Sequence, residues 1–269
     1  MAFSADSRHW FLINASPDIR FQLIGLHGPE SVPGRQPGFE AILLSNADLD
    51  HTLGLMIVRE GGPVTAYATP EIRRTVSHAL CFERILAAFS GGGAPGIDWR
   101  TLDDQPQELR TKAGEPTGLT LRVIMLGGSP PRYDADSPDG PGHACAFAIE
   151  DQRSQAKFVC ALDVPGPNEQ LLKEVSQANL TIFDGSFWSD TEMIDLGFSK
   201  RTAAQMGHWP IGDDQGSLAA LASNKLAGSR IVYSHINNTN PILDPASPEA
   251  AQLQRAGIEV GADGLEWEI

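Results

Sequence analysis

Four times along this chain an apolar, strand-like run ends in an acidic or histidine-bearing loop, and this repetition constrains the fold more than any other feature. The segments are Leu43-Leu44-Ser45-Asn46-Ala47-Asp48-Leu49-Asp50-His51, Cys160-Ala161-Leu162-Asp163, Thr181-Ile182-Phe183-Asp184-Gly185 and Val232-Tyr233-Ser234-His235. In a layered α/β fold the residues just past strand ends gather along one edge, where ligands bind. A carboxylate or imidazole held there by a buried strand suits a metal ion, because ligation offsets the cost of partly burying charge.

The rest of the chain agrees with alternating strands and helices in one continuous domain, residues 1–269. Further strands are expected at Trp10–Asn14, Val64–Ala68, Leu119–Met125 and Cys145–Glu150, with the four runs above placed at Ala41–Leu44, Phe158–Leu162, Leu180–Phe183 and Arg230–Ser234. Thr69 caps a helix with Pro70 at its first position; Ile72, Val76, Leu80 and Leu86 follow near helical spacing until Gly91-Gly92-Gly93. Asn168 caps a second helix, and Ser247-Pro248-Glu249 opens a third that stops at Gly257. The spacing predicts a closing hairpin, with Ala262-Asp263-Gly264 turning Ile258–Val260 into Leu265–Ile269. The aperiodic stretch from Gly127 to Gly142 is long enough to suggest a functional loop.

Charge narrows the partners. Twenty Lys and Arg against 34 Asp and Glu give a net charge of −14, which repels phosphate backbones and anionic membrane, so neither nucleic acid nor membrane is expected. No apolar run approaches the roughly 20 residues of a membrane helix, and the opening residues show no signal peptide. Cys81, Cys145 and Cys160 are read as buried, reduced thiols, and the expected location is cytoplasmic.

The Asp50-His51 pair, ahead of Thr52-Leu53-Gly54-Leu55, and His235 are candidate metal ligands; capping of the following helix is the alternative for Asp50, and an ordinary hydrogen-bonded surface or core histidine the alternative for His235. Asp163 and His143 are weaker candidates, because Asp and His in Gly/Pro loops usually face water. His9, His27 and His78 are structural or solvated. Asp184 can orient His208 and raise its basicity, making a proton donor or acceptor near neutral pH, with a purely structural ion pair as the alternative.

The Asn46–His51 segment resembles the metallo-β-lactamase signature His-x-His-x-Asp-His, with Asn46 and Asp48 in place of its first two histidines. That superfamily's second metal site uses the Asp, the last His and a late histidine, here Asp50, His51 and His235, with Asp163 as a bridging carboxylate and Asp48 as an oxygen ligand. The resemblance implies a four-layer αββα sandwich. Two histidines and one carboxylate form the facial set of non-haem Fe(II) and oxygen chemistry. Phosphodiester-cleaving relatives pair an acid after a strand with a Gly-His, as in Asp184 and Gly207-His208.

Longer strings are similar to the pyrroloquinoline quinone (PQQ) biosynthesis protein B family: Asn14–Arg20, Asn46–Leu55, Arg59-Glu60-Gly61, Phe183–Met193, Met206-Gly207-His208 and His235–Leu243. The family's usual N-terminal strand and cysteine knuckle have no counterpart before Trp10, so no structural zinc and an open sheet edge are expected, the latter inviting a homodimer. The resemblance implies a hydroxylase of a tyrosine-derived precursor, a small peptide or amino-acid derivative, with one divalent metal, Fe(II) ahead of Zn(II) or Mn(II). A metal-dependent hydrolase of a phosphodiester, ester or lactone, and a non-catalytic carrier that transports PQQ or its precursor, are the alternatives. Asp18, Arg20, His143, Asn237 and Asn238 are the candidate substrate-binding residues, Arg20 for a carboxylate; a buried ion pair is the other reading of Arg20.

Overall fold

Strand and helix alternate as the apolar runs require, and the chain gathers into two compact units, residues 1–120 with 127–144, and residues 121–126 with 145–269. A computed structural model describes residues 1–27, 38–59, 62–91 and 93–269. Glu60, Gly61 and Gly92, named above, lie outside the described residues.

The first unit holds β1 (Ala2–Phe3), β2 (Phe11–Ile13), α1 (Ile19–His27), β3 (Ala41–Leu43), α2 (Leu49–Thr52), α3 (Gly54–Ile57), β4 (Val64–Ala68), α4 (Pro70–Arg74), α5 (Phe82–Ala87), β5 (Ile97–Thr101) and β6 (Gln107–Arg110). One sheet runs β1-β2-β3-β4-β5. Its β2, β3, β4 and β5 are parallel, and β1 joins antiparallel, Ala2 opposite Leu12 and Phe3 opposite Phe11. The segment before Trp10 therefore contributes a strand, and β2 is not left bare. Parallel strands buried on both faces need near-continuous apolar sequence, and Phe11, Ile42, Leu43, Leu55, Ile72 and Leu86 form the core.

The second unit contains β8 (Ala144–Asp151, from its second residue), β9 (Lys157–Ala161), α6 (Glu169–Val175), β10 (Leu180–Asp184), α7 (Glu192–Asp195), α8 (Ala203–Met206), α9 (Ser217–Asn224), β11 (Arg230–Ser234), α10 (Pro248–Ala256) and β12 (Glu259–Val260); a twelve-residue strand, Pro116–Gly127, supplies residues 121–126. Here β9, β10, β11 and β12 are parallel, and β8 pairs antiparallel with β9. Phe183 faces Ala161 on one side and Tyr233 on the other. This register ends three parallel strands side by side, with Asp184 closing β10, His235 directly after β11 and Asp163 two residues past β9.

Two expectations are corrected. The closing hairpin is absent from this chain: β12 pairs with β11 instead, and Gly261 N–H extends that ladder to the Tyr233 carbonyl, which leaves residues 265–269 without a strand. The helix from Thr69 breaks in the middle. After α4 a wide π-helical turn covers Thr75–Ala79, and Cys81 adopts φ +57 before α5 restarts. That break leaves Cys81 exposed, whereas Cys145 and Cys160 are buried as expected; burial pushes the Cys160 thiol up to about 12. Among the described residues no helix is long and apolar enough to cross a membrane.

Candidate metal centre

In the first unit the turn after β2 docks onto the helices that follow β3. Asn14 takes φ +59, its side-chain amide donates to Ser45 Oγ (2.8 Å), and its Oδ1 accepts Ser45 N–H (2.8 Å). Ala15 N–H then donates to the His51 carbonyl (2.7 Å), and Gly54 N–H to the Ala15 carbonyl (2.9 Å). A Cβ on Gly54 would lie 2.4 Å from the Ser16 carbonyl oxygen, so only glycine permits this approach. The Asn14–Arg20 motif thus positions α2, which carries Asp50 and His51.

His51 is buried, and its Nδ1 lies 2.7 Å from Asn46 Oδ1. That oxygen also accepts Asp48 N–H (3.0 Å). A carbonyl oxygen cannot donate, so His51 carries its proton on Nδ1 and keeps the Nε2 lone pair for a ligand. Asn46 is therefore an orienting group where the superfamily pattern has a metal-binding histidine. Asp50 lies within the first turn of α2 rather than at its cap; Asp48 occupies the cap position without a side-chain capping hydrogen bond. The Asp50 side chain is 64% exposed, with Oδ2 3.9 Å from His51 Nε2. Tyr133 OH, from the loop after Gly127, donates to the Ala47 carbonyl; burial and the carboxylates of Asp48, Asp134 and Asp50 raise its pKa.

The second unit assembles a denser group. Asp163, after β9, and His235, after β11, both take left-handed backbone, φ +53 and +57, a conformation that costs energy and clusters at functional sites. His208 arrives from α8, which Thr202 and Gln205 cap reciprocally and Gly207 (φ +95) terminates. Trp209 N–H, bonded to the Val164 carbonyl, fastens that turn beside β9. Ligand atoms of Asp163, His208 and His235 lie within 4.8 Å of one another.

Asp184 organises this group. It is fully buried, and its Oδ2 accepts from Val164 N–H (3.1 Å) and His208 Nδ1 (2.9 Å). Its Oδ1 accepts from Ser186 Oγ (2.7 Å) and Ser186 N–H (3.2 Å) and sits 3.4 Å from His235 Nδ1. Ser186 Oγ is 3.0 Å from the same His235 nitrogen. Burial opposes charge on both partners, yet His208 and His235 hold Asp184 well below the ordinary carboxylate range, and Asp184 raises the pKa of His208. With Nδ1 of both rings engaged, Nε2 is the nitrogen each ring can present to a cation or a proton.

The remaining candidates fall elsewhere. Asp18 and Arg20 are exposed, so Arg20 is not in a buried ion pair. His143 is buried, with Nε2 3.0 Å from the Pro138 carbonyl, and braces its own loop. Asn237 donates to Thr239 Oγ1 (2.6 Å), whose hydroxyl donates to Glu192, while Asn238 is exposed. Asn14, Ser186 and the orienting role of Asn46 went unread in the sequence; their signal was a small polar residue directly after a strand.

Two imidazoles and a carboxylate at strand ends fit a divalent cation by donor type, and the chain's similarities agree. Residues 9–236 match the β-lactamase superfamily domain, and the fold is that of a metallo-β-lactamase. The chain is 34% identical over 265 residues to the coenzyme PQQ synthesis protein B of Klebsiella pneumoniae (strain 342), covering 97% of this chain and 83% of that protein. To its counterpart in Pseudomonas putida (strain W619) it is 33% identical over 272 residues, covering 100% and 86%. The crystal structure of Zn(2+)-bound PqqB from Methylobacterium extorquens superposes with a TM-score of 0.84 at 31% identity, covering 100% of this chain and 86% of that one. This chain belongs to the coenzyme PQQ synthesis protein B family.

Proposed function

We propose that this protein acts in PQQ biosynthesis as a cytoplasmic, metal-dependent hydroxylase of a small tyrosine-derived precursor. Asp50, His51 and His235 would hold one divalent ion, with Asp163 completing the set. The observation that carries the reading is the buried Asp184 carboxylate, which engages Nδ1 of His208 at 2.9 Å and lies 3.4 Å from Nδ1 of His235. A histidine so held presents Nε2 in a fixed direction.

When bound, Fe(II) would supply the redox chemistry that dioxygen needs: one oxygen atom turns the aromatic C–H into C–OH, and a two-electron reductant with two protons takes the other oxygen to water. The chain's own contribution is positional and acid–base. Asn46 fixes the His51 ring, Ser186 and Asp184 fix that of His235, and Asp184 keeps His208 able to hold a proton near neutral pH. Exposed Arg20 suits a substrate carboxylate, since a guanidinium fork pairs with it through two hydrogen bonds. The zinc of the Methylobacterium relative supports a metal in this family, and the loss of two imidazoles at positions 46 and 48 supports Fe(II) over a dinuclear zinc hydrolase.

The test is anaerobic reconstitution with Fe(II), followed by oxygen, a reductant and a tyrosine-containing dipeptide. Oxygen consumption with a hydroxylated product is expected, and His51→Ala abolishes both. Turnover with Zn(II) in the absence of oxygen overturns the proposal in favour of hydrolysis.

A further inference from the structure

We propose that Tyr133 is a positioning residue for the Asp50-His51 motif: its hydroxyl, delivered by the loop after Gly127, holds the Ala47 carbonyl and thereby the Asn46–His51 hydrogen bond. Ala47 is 1% exposed, so its carbonyl needs a donor from within the protein. Thr52 Oγ1 lies 3.5 Å away and is better engaged with the Asp48 carbonyl at 2.8 Å. That leaves Tyr133 OH as the well-placed partner.

The peptide so held is the link between Ala47 and Asp48. Its N–H, on Asp48, donates to Asn46 Oδ1 (3.0 Å), the oxygen that also accepts from His51 Nδ1 (2.7 Å). Rotation of this peptide moves one donor of Asn46 and loosens its hold on the other. Tyr133 therefore acts on His51 through three hydrogen bonds and the intervening peptide, and touches no ligand itself.

The loop is braced to deliver this hydroxyl. Tyr133 sits in a 3₁₀ turn, Arg132–Asp134, and Asp134 Oδ2 accepts from Thr75 Oγ1 (2.6 Å) and Ser137 Oγ (2.9 Å). Thr69 Oγ1 donates to the Gly142 carbonyl (2.6 Å) near the far end. The residue stays 39% exposed, so core packing does not account for an aromatic residue here, whereas its hydroxyl contact does. The importance assigned to His51 rests on the metal reading above, but the hydrogen-bond relay does not.

The experiment uses Tyr133→Phe in the full chain, which keeps the ring and removes the hydroxyl. In metal-free protein with ¹⁵N-labelled histidine, wild-type His51 is expected as the Nδ1–H tautomer, assigned through loss of its signals in His51→Gln. Tyr133→Phe is expected to shift His51 to a mixture of tautomers with a near-wild-type melting curve. Metal retention against a competing chelator should fall about tenfold, the scale of outer-shell losses. An unchanged His51 tautomer in Tyr133→Phe, with or without a drop in stability, overturns the proposal. Because the tautomer is read without metal, a wrong metal or reaction leaves this result intact.

Discussion

Asp184 is fully buried yet carries a charge, because two imidazoles and three further hydrogen-bond donors surround its oxygens. Removing one partner of such a group leaves an uncompensated one behind, so Asp184→Ala should lose about 3–5 kcal/mol in urea denaturation. The pH dependence of metal-free protein follows from the two shifts. Asp184, depressed when folded, contributes stability above its unfolded pKa and loses it as pH falls through the lower folded value. His208, raised when folded, contributes below its unfolded pKa and loses it as pH rises through the higher folded value. The difference between wild type and Asp184→Asn should therefore be largest between about pH 4 and 6.5 and narrow on either side; a difference that keeps growing at alkaline pH contradicts the pairing. The contact between Asp184 and His208 was legible because phosphodiester-cleaving metallo-β-lactamase relatives pair an acid after a strand with a Gly-His, as Asp184 and Gly207-His208 stand here. Asn46 was legible only as a missing histidine, since its role depends on where its amide oxygen points.

Elements followed from sequence where burial enforces a pattern. Val64–Ala68 and Arg230–Ser234 form the expected strands residue for residue, and Thr69, Asn168 and Ser247 cap the expected helices through their side chains. The edge strands β5 and β6 went unread: Ile97-Asp98-Trp99-Arg100-Thr101 alternates only through Ile97 and Trp99, Gln107-Glu108-Leu109-Arg110 has a single apolar residue, and both are half exposed. In the failed hairpin the turn itself forms, with Leu265 N–H on the Ala262 carbonyl (3.4 Å), but β12 pairs with β11 and residues 265–269 do not return along it as a strand. Glycine positions test the same reasoning. Gly54→Ala places a methyl against the Ser16 carbonyl and should cost about 1–3 kcal/mol, whereas Gly25→Ala, in the interior of α1 with no atom of the described residues within 4 Å, should gain about 0.5–1 kcal/mol. Thermal melts of the two variants check both signs, and a neutral Gly54→Ala would mean that α2 is not held by the Ala15 turn.

At the scale of the whole molecule, net charge and fold pull in one direction. A net charge of −14 repels the phosphate backbone of a nucleic acid, and the metallo-β-lactamase fold ends its parallel strands on carboxylates and imidazoles that suit a cation. The proposed function requires one cation held by residues far apart in sequence. Metal content of the full chain, purified without added zinc and measured beside His51→Ala and His235→Ala, tests this most directly. A single divalent ion in the wild type, lost from each variant while both still melt cooperatively, is the predicted result; either folded variant keeping the wild-type metal content would contradict it.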